Sequence, residues 1–410
     1  MRRTNFLAVA ATMSLGVLGA LAGPAQAQVT AYEGARLIVG DGRAPIENGT
    51  VVVDGARIVQ VGPAASVTVP ANARHVSLAG KTVMPMIIDT HTHLSQTRDA
   101  LIQDLKRRVY FGVSAAQSMG TDSGDLLPVR NETIPGASRY FSAGRGFTGP
   151  EPGRPNVPYW ITNEADARKN VRENAAKKVD IIKIWVDDRD DKYTKLTPAL
   201  YGAIIDEAHK NGLRVTAHIF ELADAKGVLR AGVDAFAHGV RDRDIDDEYM
   251  GIVRQHPNLV LNPNLPDRGV KTDVSWLKAS LAPADYAKVE AENVDDPKAQ
   301  AFYGIQARNL AKMNAVRVKI VLGTDGNTPW QPHVEMEDMA AAGMTPMQVI
   351  VASTKNAAEF LKMSDAGTLE AGKSADLLVL DASPLDDIKN TRRISQVILR
   401  GTAVDRSRLP

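Results

Sequence analysis

Residues 82–94 read TVMPMIIDTHTHL, and the fold turns on this stretch. TVMPMIID is a short, continuous apolar run of strand length. A strand apolar on both faces belongs in a parallel sheet covered by helices. His91 and His93 close the run. Residues two apart in an extended chain point the same way, so both imidazoles can aim at one ion, at roughly 2.0–2.1 Å for zinc. Alone, the triplet is a weak signal and fits two satisfied loop histidines better, so its meaning depends on the rest of the chain.

Downstream, strand-like and helix-like segments alternate. GVSAAQSM, SRYFSAG, DIIKIWV, LRVTAHI, VDAFAHG, NLVLNPN and VKIVLGTD follow the opening run as strands, giving eight. RDALIQDLKRRVYFG, NEADARKNVRENAAKKV and TPALYGAIIDEAHKNG read as helices between them. The last has Thr197-Pro198 at its start and Gly212 past its end, the usual stop and start signals. Eight such units predict an α/β fold, a (β/α)8 TIM barrel over residues 81–365.

Polar residues recur at the ends of these strands. Lys183 lies in the fourth, His218 ends the fifth, His238 the sixth and Asp325 the eighth. In a barrel such ends meet at one face, where the chemistry sits. Lys183 is flanked by Ile181, Ile182, Ile184 and Trp185. Two readings of it stand: a lysine that snorkels out at the strand end, or a buried amine, driven toward its neutral form, that reacts with carbon dioxide. His218 and His238 each fit a core histidine, and Asp325 in LGTDG fits a turn. Independent bland explanations for all six residues are hard to sustain. Imidazole and carboxylate ligands without thiolates suit zinc, manganese, iron, cobalt or nickel.

Residues 28–80 and 366–410 have a different style. ARLIVGDG, TVVVDGARIVQVGP and ARHVSLAG, then SADLLVLDASP and RRISQVILRGTAV, are short strands punctuated by Gly and Pro. Neither piece buries a core alone, so the two are expected to pair into a small β-sandwich domain. The start differs again. MRRTNF is basic, LAVAATMSLGVLGALAG is apolar and Ala25-Gln26-Ala27 is a small-x-small cleavage signal. Residues 1–27 thus read as a secretory signal peptide cut near Ala27, which places the mature chain in the periplasm or outside the cell.

The 410 residues, 44% of them hydrophobic, are ample for a core. The formal net charge of +1 falls by two, to −1, once Arg2 and Arg3 are removed, which gives no reason to expect nucleic acid or an anionic membrane as partner. No cysteine is present, excluding disulfides, thiolate metal sites and a cysteine nucleophile.

MPMIIDTHTHL, DIIKIWV, VTAHIF, DAFAHGV and VLGTDG, in that order, resemble the amidohydrolase superfamily, in particular its imidazolonepropionase-like and prolidase-like branch. TPMQVIVASTKNAAEFL and AGTLEAGKSADLLVLDASPLDDI resemble that branch's closing helices and returning β domain. The resemblance implies a barrel with a small β-sandwich from both chain ends and a site for two divalent metals, zinc first among the candidates. His91, His93 and Asp325 would hold the more buried ion, His218 and His238 the second. Lys183, carboxylated by CO2, would bridge them. It further implies attack by a hydroxide between the ions on a carbonyl, with Asp325 as general acid and base.

Two departures from the family pattern stand out. Met86 replaces the usual glycine after the proline of the first strand. Phe220 stands where peptidase-like members often carry a Tyr or His that helps hold a substrate carboxylate. Trp185, Phe220, Arg241, Trp330 and His333 are candidate substrate-binding residues. Asp187, Asp188 and Arg189 read as a solvated charge run. The leading expectation is an exported binuclear-metal amidohydrolase cleaving a non-ring C–N bond in a small molecule such as an N-acyl amino acid, dipeptide or aryl amide. Cleavage of an ester, lactone or carbamate would use the same site. Deamination by a one-metal relative is disfavoured by Lys183. A non-catalytic periplasmic metal- or ligand-binding barrel is disfavoured by Asp325. The sequence leaves homo-oligomerisation open.

Overall fold

Pro85 and Met86 divide the opening run between two sheets. The computed structural model describes residues 29–153 and 157–410, so the expected signal peptide lies outside the described residues. In chain order the strands are β1 (Thr30–Leu37), β2 (Ile46–Asp54), β3 (Arg57–Pro63), β4 (Arg74–Ser77), β5 (Thr82–Pro85) and β6 (Ile87–Thr92). Next come β7 (Val113–Ser118), β8 (Arg139–Ser142), β9 (Phe147–Thr148), β10 (Tyr159–Trp160), β11 (Ile182–Val186) and β12 (Val215–Ile219). The last are β13 (Ala235–Phe236), β14 (Val260–Leu261), β15 (Lys319–Ile320), β16 (Leu377–Leu380), β17 (Ile394–Leu399) and β18 (Thr402–Ala403).

Strands from both ends of the described chain share one eight-stranded sheet, in the order β18-β17-β16-β5-β1-β2-β3 with β4 beside β1. TVMPMIID, expected as one strand, is two. β5 pairs antiparallel with β16, and β6 pairs parallel with β7. The cause is local. Pro85 has no N–H to continue a ladder. Met86 N–H makes the last bond on that side, to Asp376 O at 3.1 Å, and Ile87 N–H turns to Gly112 O at 2.9 Å. The Met86 side chain is buried in the main apolar cluster, so the larger residue is housed by packing.

The other strands are all parallel. One sheet runs β10-β9-β11-β12-β13-β14-β15, the other β6-β7-β8. Hydrogen bonds join the two sheets on both sides. Thr90 N–H reaches Leu322 O and Thr324 N–H reaches His91 O, each at 2.9 Å, and Thr92 bridges to Gly326. Opposite, Asp180 N–H reaches Ser142 O at 3.0 Å. The two short strands β9 and β10 were not anticipated. Each has two residues, too few for a periodic signal.

Helices cover the parallel strands. Pro198–Lys210 starts where the sequence signals placed it: the Thr197 side chain accepts from Leu200 N–H, and Gly212 ends the turn at φ +71°. Its apolar face, Ile204, Ile205 and Ala208, packs in one cluster with Val215, Ala217 and Ile219 of β12. Alternate residues of β11 divide the same way. Ile182, Ile184 and Val186 join the helix-side core, which sends Lys183 and Trp185 to the opposite face. The local pattern thus turns the anomalous lysine toward the other strand ends.

Candidate metal centre

His91 and His93 converge on Asp325. Asp325 Oδ1 lies 3.1 Å from His91 Nε2 and 3.0 Å from His93 Nε2. One ligand atom from each of the three residues falls within 4.8 Å of the others. His238 joins them, with Nε2 3.5 Å from Asp325 Oδ2. The His238 ring stands 5.2 Å from that of His91 and 4.6 Å from that of His218. Lys183 Nζ is 3.2 Å from His91 Nε2. The six residues singled out at strand ends therefore form one connected cluster.

Burial sets their charge states. Desolvation, with Lys183 nearby, pushes His91 down to about 3, and desolvation holds His218 down to about 4. His238 is lowered for the same reason, helped by Arg241. These imidazoles are neutral at neutral pH, so the contact of His91 with Asp325 is a hydrogen bond rather than an ion pair. Burial brings the Lys183 amine down to about 7. Burial alone would raise Asp325, but the adjoining His238 and His91 and the hydrogen bonds from His91 and His93 hold its carboxyl well below the usual range. Neutral imidazoles beside an ionised carboxylate form a donor set that fits a divalent cation. His238 Nε2 adds a second sign. It is buried and has no hydrogen-bond partner among the described residues, which is costly unless something is bound there.

A surrounding layer orients these side chains. His93 Nδ1 lies 3.1 Å from Thr121 Oγ1. His91 Nδ1 is flanked by Asn264 Nδ2 at 2.6 Å and Ala237 O at 3.3 Å. Asp89 and Arg108, both fully buried, pair at 2.9 Å. Asp89 also accepts from Thr324 Oγ1, and Arg108 donates to Gly326 O at 3.1 Å. This clamp fixes the Thr324–Gly326 turn, where Asp325 sits at φ +53°, a left-handed conformation rare for a residue with a side chain. Asn264, at φ +40°, shares that feature. Sequence reasoning missed Asn264. The signal lay in NLVLNPN, the one late strand whose end was given no role.

Asp187 and Arg189 do not form a solvated charge run. Asp187 Oδ2 lies 2.8 Å from His218 Nε2 and 2.6 Å from Arg189 Nη1, and its side chain is only 9% exposed. Burial would raise the Asp187 carboxyl, but His218 and Arg189 hold it well below the usual range. Asp188 pairs with Lys195 at 3.0 Å.

The expected substrate-binding residues separate into two groups. Trp185 lies beside the cluster, its ring 5.3 Å from Lys183 Nζ. Its ring rests on the backbone of Gly120 and Gly146, where a Cβ would come within 2.6 and 2.3 Å. Phe220 and Arg241 line a cavity of about 430 Å³ with Asp187 and Arg189. His333 is a correction. It is buried, with Nε2 donating to Phe111 O at 2.8 Å and Nδ1 meeting Thr391 Oγ1 at 3.1 Å, so neither nitrogen is free for substrate. Trp330 packs on Phe111 at 5.9 Å in a separate aromatic cluster with Trp276. It lines a different cavity, of about 330 Å³, which contains none of the six clustered residues.

Parallel strands whose ends gather neutral imidazoles, a carboxylate and a buried amine suit a metal-assisted hydrolase. The chain belongs to the amidohydrolase family, whose model matches residues 82–404. It is 25% identical over 386 residues to the imidazolonepropionase of Deinococcus radiodurans, covering 87% of this chain and 92% of the relative. It is 24% identical over 298 residues to the ochratoxinase of Aspergillus niger, covering 68% of this chain and 56% of the relative. The crystal structure of a presumptive prolidase from Bifidobacterium longum matches with a TM-score of 0.75 at 28% identity, covering 92% of this chain and 95% of that one. The fold is of TIM-barrel type with mixed α/β content. The protein is a hydrolase acting on carbon–nitrogen bonds. Its family is metal-dependent, and His91, His93 and Asp325 form a group able to hold an ion.

Proposed function

We propose that the mature chain is an exported two-metal amidase acting on a non-ring amide of a small molecule, such as an N-acyl amino acid, a dipeptide or an aryl amide. The observation that carries this reading is the convergence of His91, His93, His238 and Lys183 around one ionised carboxylate, Asp325. We assign residues 81–365 to a closed barrel, and 28–80 with 366–410 to a small β-sandwich domain. The hydrogen bonds between the parallel sheets support the barrel, and the shared end sheet supports the pairing of the two chain ends, with β5 of the opening run joining that sheet. Export rests on the basic, apolar and Ala-Gln-Ala pattern of residues 1–27, and N-terminal sequencing of protein recovered outside the cytoplasm tests it.

His91, His93 and Asp325 would hold one ion, zinc in first place, and His218 and His238 the other. Lys183, as its CO2 adduct, would give oxygens to both. What supports the adduct is geometry: Lys183 is fully buried, and among the described residues no carboxylate lies within ion-pair distance of it. When bound, the metal pair supplies a Lewis acid for the scissile carbonyl and an acidified water. Asp325 takes the water's proton and returns it to the departing nitrogen. The buried strand ends shield His91, His218, His238 and Lys183 from bulk solvent, while Asp325 and His93 stay open to it.

The test is metal content by elemental analysis, joined to turnover of N-acyl amino acids, dipeptides and aryl amides. Near two ions per chain is the expected content. Asp325→Asn and Lys183→Ala should each lower kcat by a factor of about 10²–10⁴. Intact protein should carry the added mass of one CO2. Metal-free active protein, or full activity in Asp325→Asn, overturns the mechanism.

A further inference from the structure

Arg241 stands at the edge of the cluster, and among the described residues it makes no ion pair. It follows His238 by three residues, and its backbone N–H bonds to Phe220 O at 2.9 Å, tying the loop after β13 to the loop after β12. Its guanidinium touches His238 Nδ1 and faces the cavity shared with Phe220, Asp187 and Arg189. Three cations line that cavity, and two are committed. Arg189 is held by Asp187 at 2.6 Å. Lys195 is held by Asp188, Glu221 and Asp224 at 3.0, 2.9 and 2.9 Å. Among the described residues no carboxylate lies within ion-pair distance of Arg241, and its Nε is buried without a hydrogen-bond partner. The nearby acids are already used, Asp187 by His218 and Arg189, and Asp325 by His91 and His93.

Arginine stays protonated in proteins, so it cannot relieve this by losing its charge. A largely desolvated guanidinium with Nε uncommitted is suited to a carboxylate. We propose that Arg241 binds the free carboxylate of the substrate, so that the enzyme acts on amides whose nitrogen belongs to an amino acid, in preference to neutral aryl or alkyl amides. This rests on the amidase reading above and narrows its substrate class. Phe220, stacked on Phe302 at 6.2 Å, offers an apolar wall beside that seat. The rim acids Asp190 and Asp191 are exposed, so water and salt screen their repulsion of one carboxylate.

The experiment uses metal-loaded mature protein and matched probes: N-acetyl-L-amino acids with apolar side chains, and the same amides lacking the carboxylate, for example N-acetyl-L-leucine against N-(3-methylbutyl)acetamide. The wild type should prefer the acids in kcat/KM by on the order of 100-fold. Arg241→Gln should remove most of that preference, mainly through a higher KM for the acids. Arg241→Lys keeps the charge but not the fork and should fall between. It carries the test if Arg241→Gln does not fold. Wild-type protein that cleaves both kinds equally, or an unchanged preference in the variants, overturns the role of Arg241 while amide hydrolysis stands. Failure to cleave any amide overturns the amidase reading and this inference with it.

Discussion

Asp187 Oδ2 lies 2.8 Å from His218 Nε2, so a carboxylate just past the end of β11 holds an imidazole of β12. The parallel register sets this up. Trp185 pairs with His218 and Val186 with Ile219, which leaves Asp187 at the rim beside the ring. Such a carboxylate fixes ring orientation and tautomer and raises the basicity of the other nitrogen. Asp187→Asn keeps the shape and removes the charge. Activity or metal affinity should fall by about 10- to 100-fold, with a small change in Tm. Kinetics and elemental analysis on the same preparation read this. Unchanged values in both would reduce Asp187 to a partner of Arg189 alone.

Gly323 precedes the Thr324–Gly326 turn, and its missing side chain makes room for the site. A Cβ there would stand 2.2 Å from Asn262 Nδ2 and 2.7 Å from His91 Cβ. Neither neighbour yields easily. Asn262 is buried and donates to Thr90 Oγ1 at 2.9 Å, and His91 is fully buried. Gly323→Ala should therefore cost about 1–3 kcal/mol by overpacking, and displace His91 enough to weaken metal retention. Denaturant melts and metal content after dialysis check both effects. A variant as stable and as metal-rich as wild type would show that the strand end is looser than its packing implies.

The Asp89–Arg108 clamp makes an asymmetric prediction. Both side chains are fully buried and paired at 2.9 Å. Burial pushes the Asp89 carboxyl up, with Arg108 pulling the other way. Arg108→Met leaves a buried carboxylate without its cation, at a cost of about 3–5 kcal/mol. Adding Asp89→Asn should restore part of that loss, because no charge is then stranded. Urea unfolding of the single and double variants measures the difference. Additive losses would mean the two residues act independently.

What could be read beforehand follows from chain locality. His91, His93, Lys183, His218, His238 and Asp325 were legible because each ends or interrupts an apolar strand, and parallel strands carry their ends to one face. The split at Met86 was less visible, since a continuous apolar run does not say which sheet each half joins. Asp187 looked like part of a charge run because its partner, His218, is 31 residues away and charge patterns record only neighbours. Asn264 carried no period or charge. His333 and Trp330 looked like site residues because they follow Asp325 closely in sequence. The helix Gln331–Ala341 instead turns His333 to Phe111 and Thr391, contacts made by distant segments.

That displaced histidine gives a pH prediction independent of any metal. Burial lowers His333 to about 4, assisted by Arg392 and Arg406, whereas an exposed histidine titrates near 6.5. The unfolded chain therefore binds a proton more readily than the folded one between these values. The contribution of neutral His333 is fully present above about pH 6.5 and is lost as pH falls toward 4. With roughly 1.4 kcal/mol per pH unit, the window is worth up to about 3 kcal/mol. His333→Gln removes the titration while keeping an amide donor for Phe111 O. Subtracting its unfolding free energy from that of the wild type cancels the other groups that titrate in this range. The difference should shrink by up to about 3 kcal/mol from pH 7 to pH 4. Parallel curves would mean that His333 takes up its proton in the folded protein as readily as in the unfolded chain.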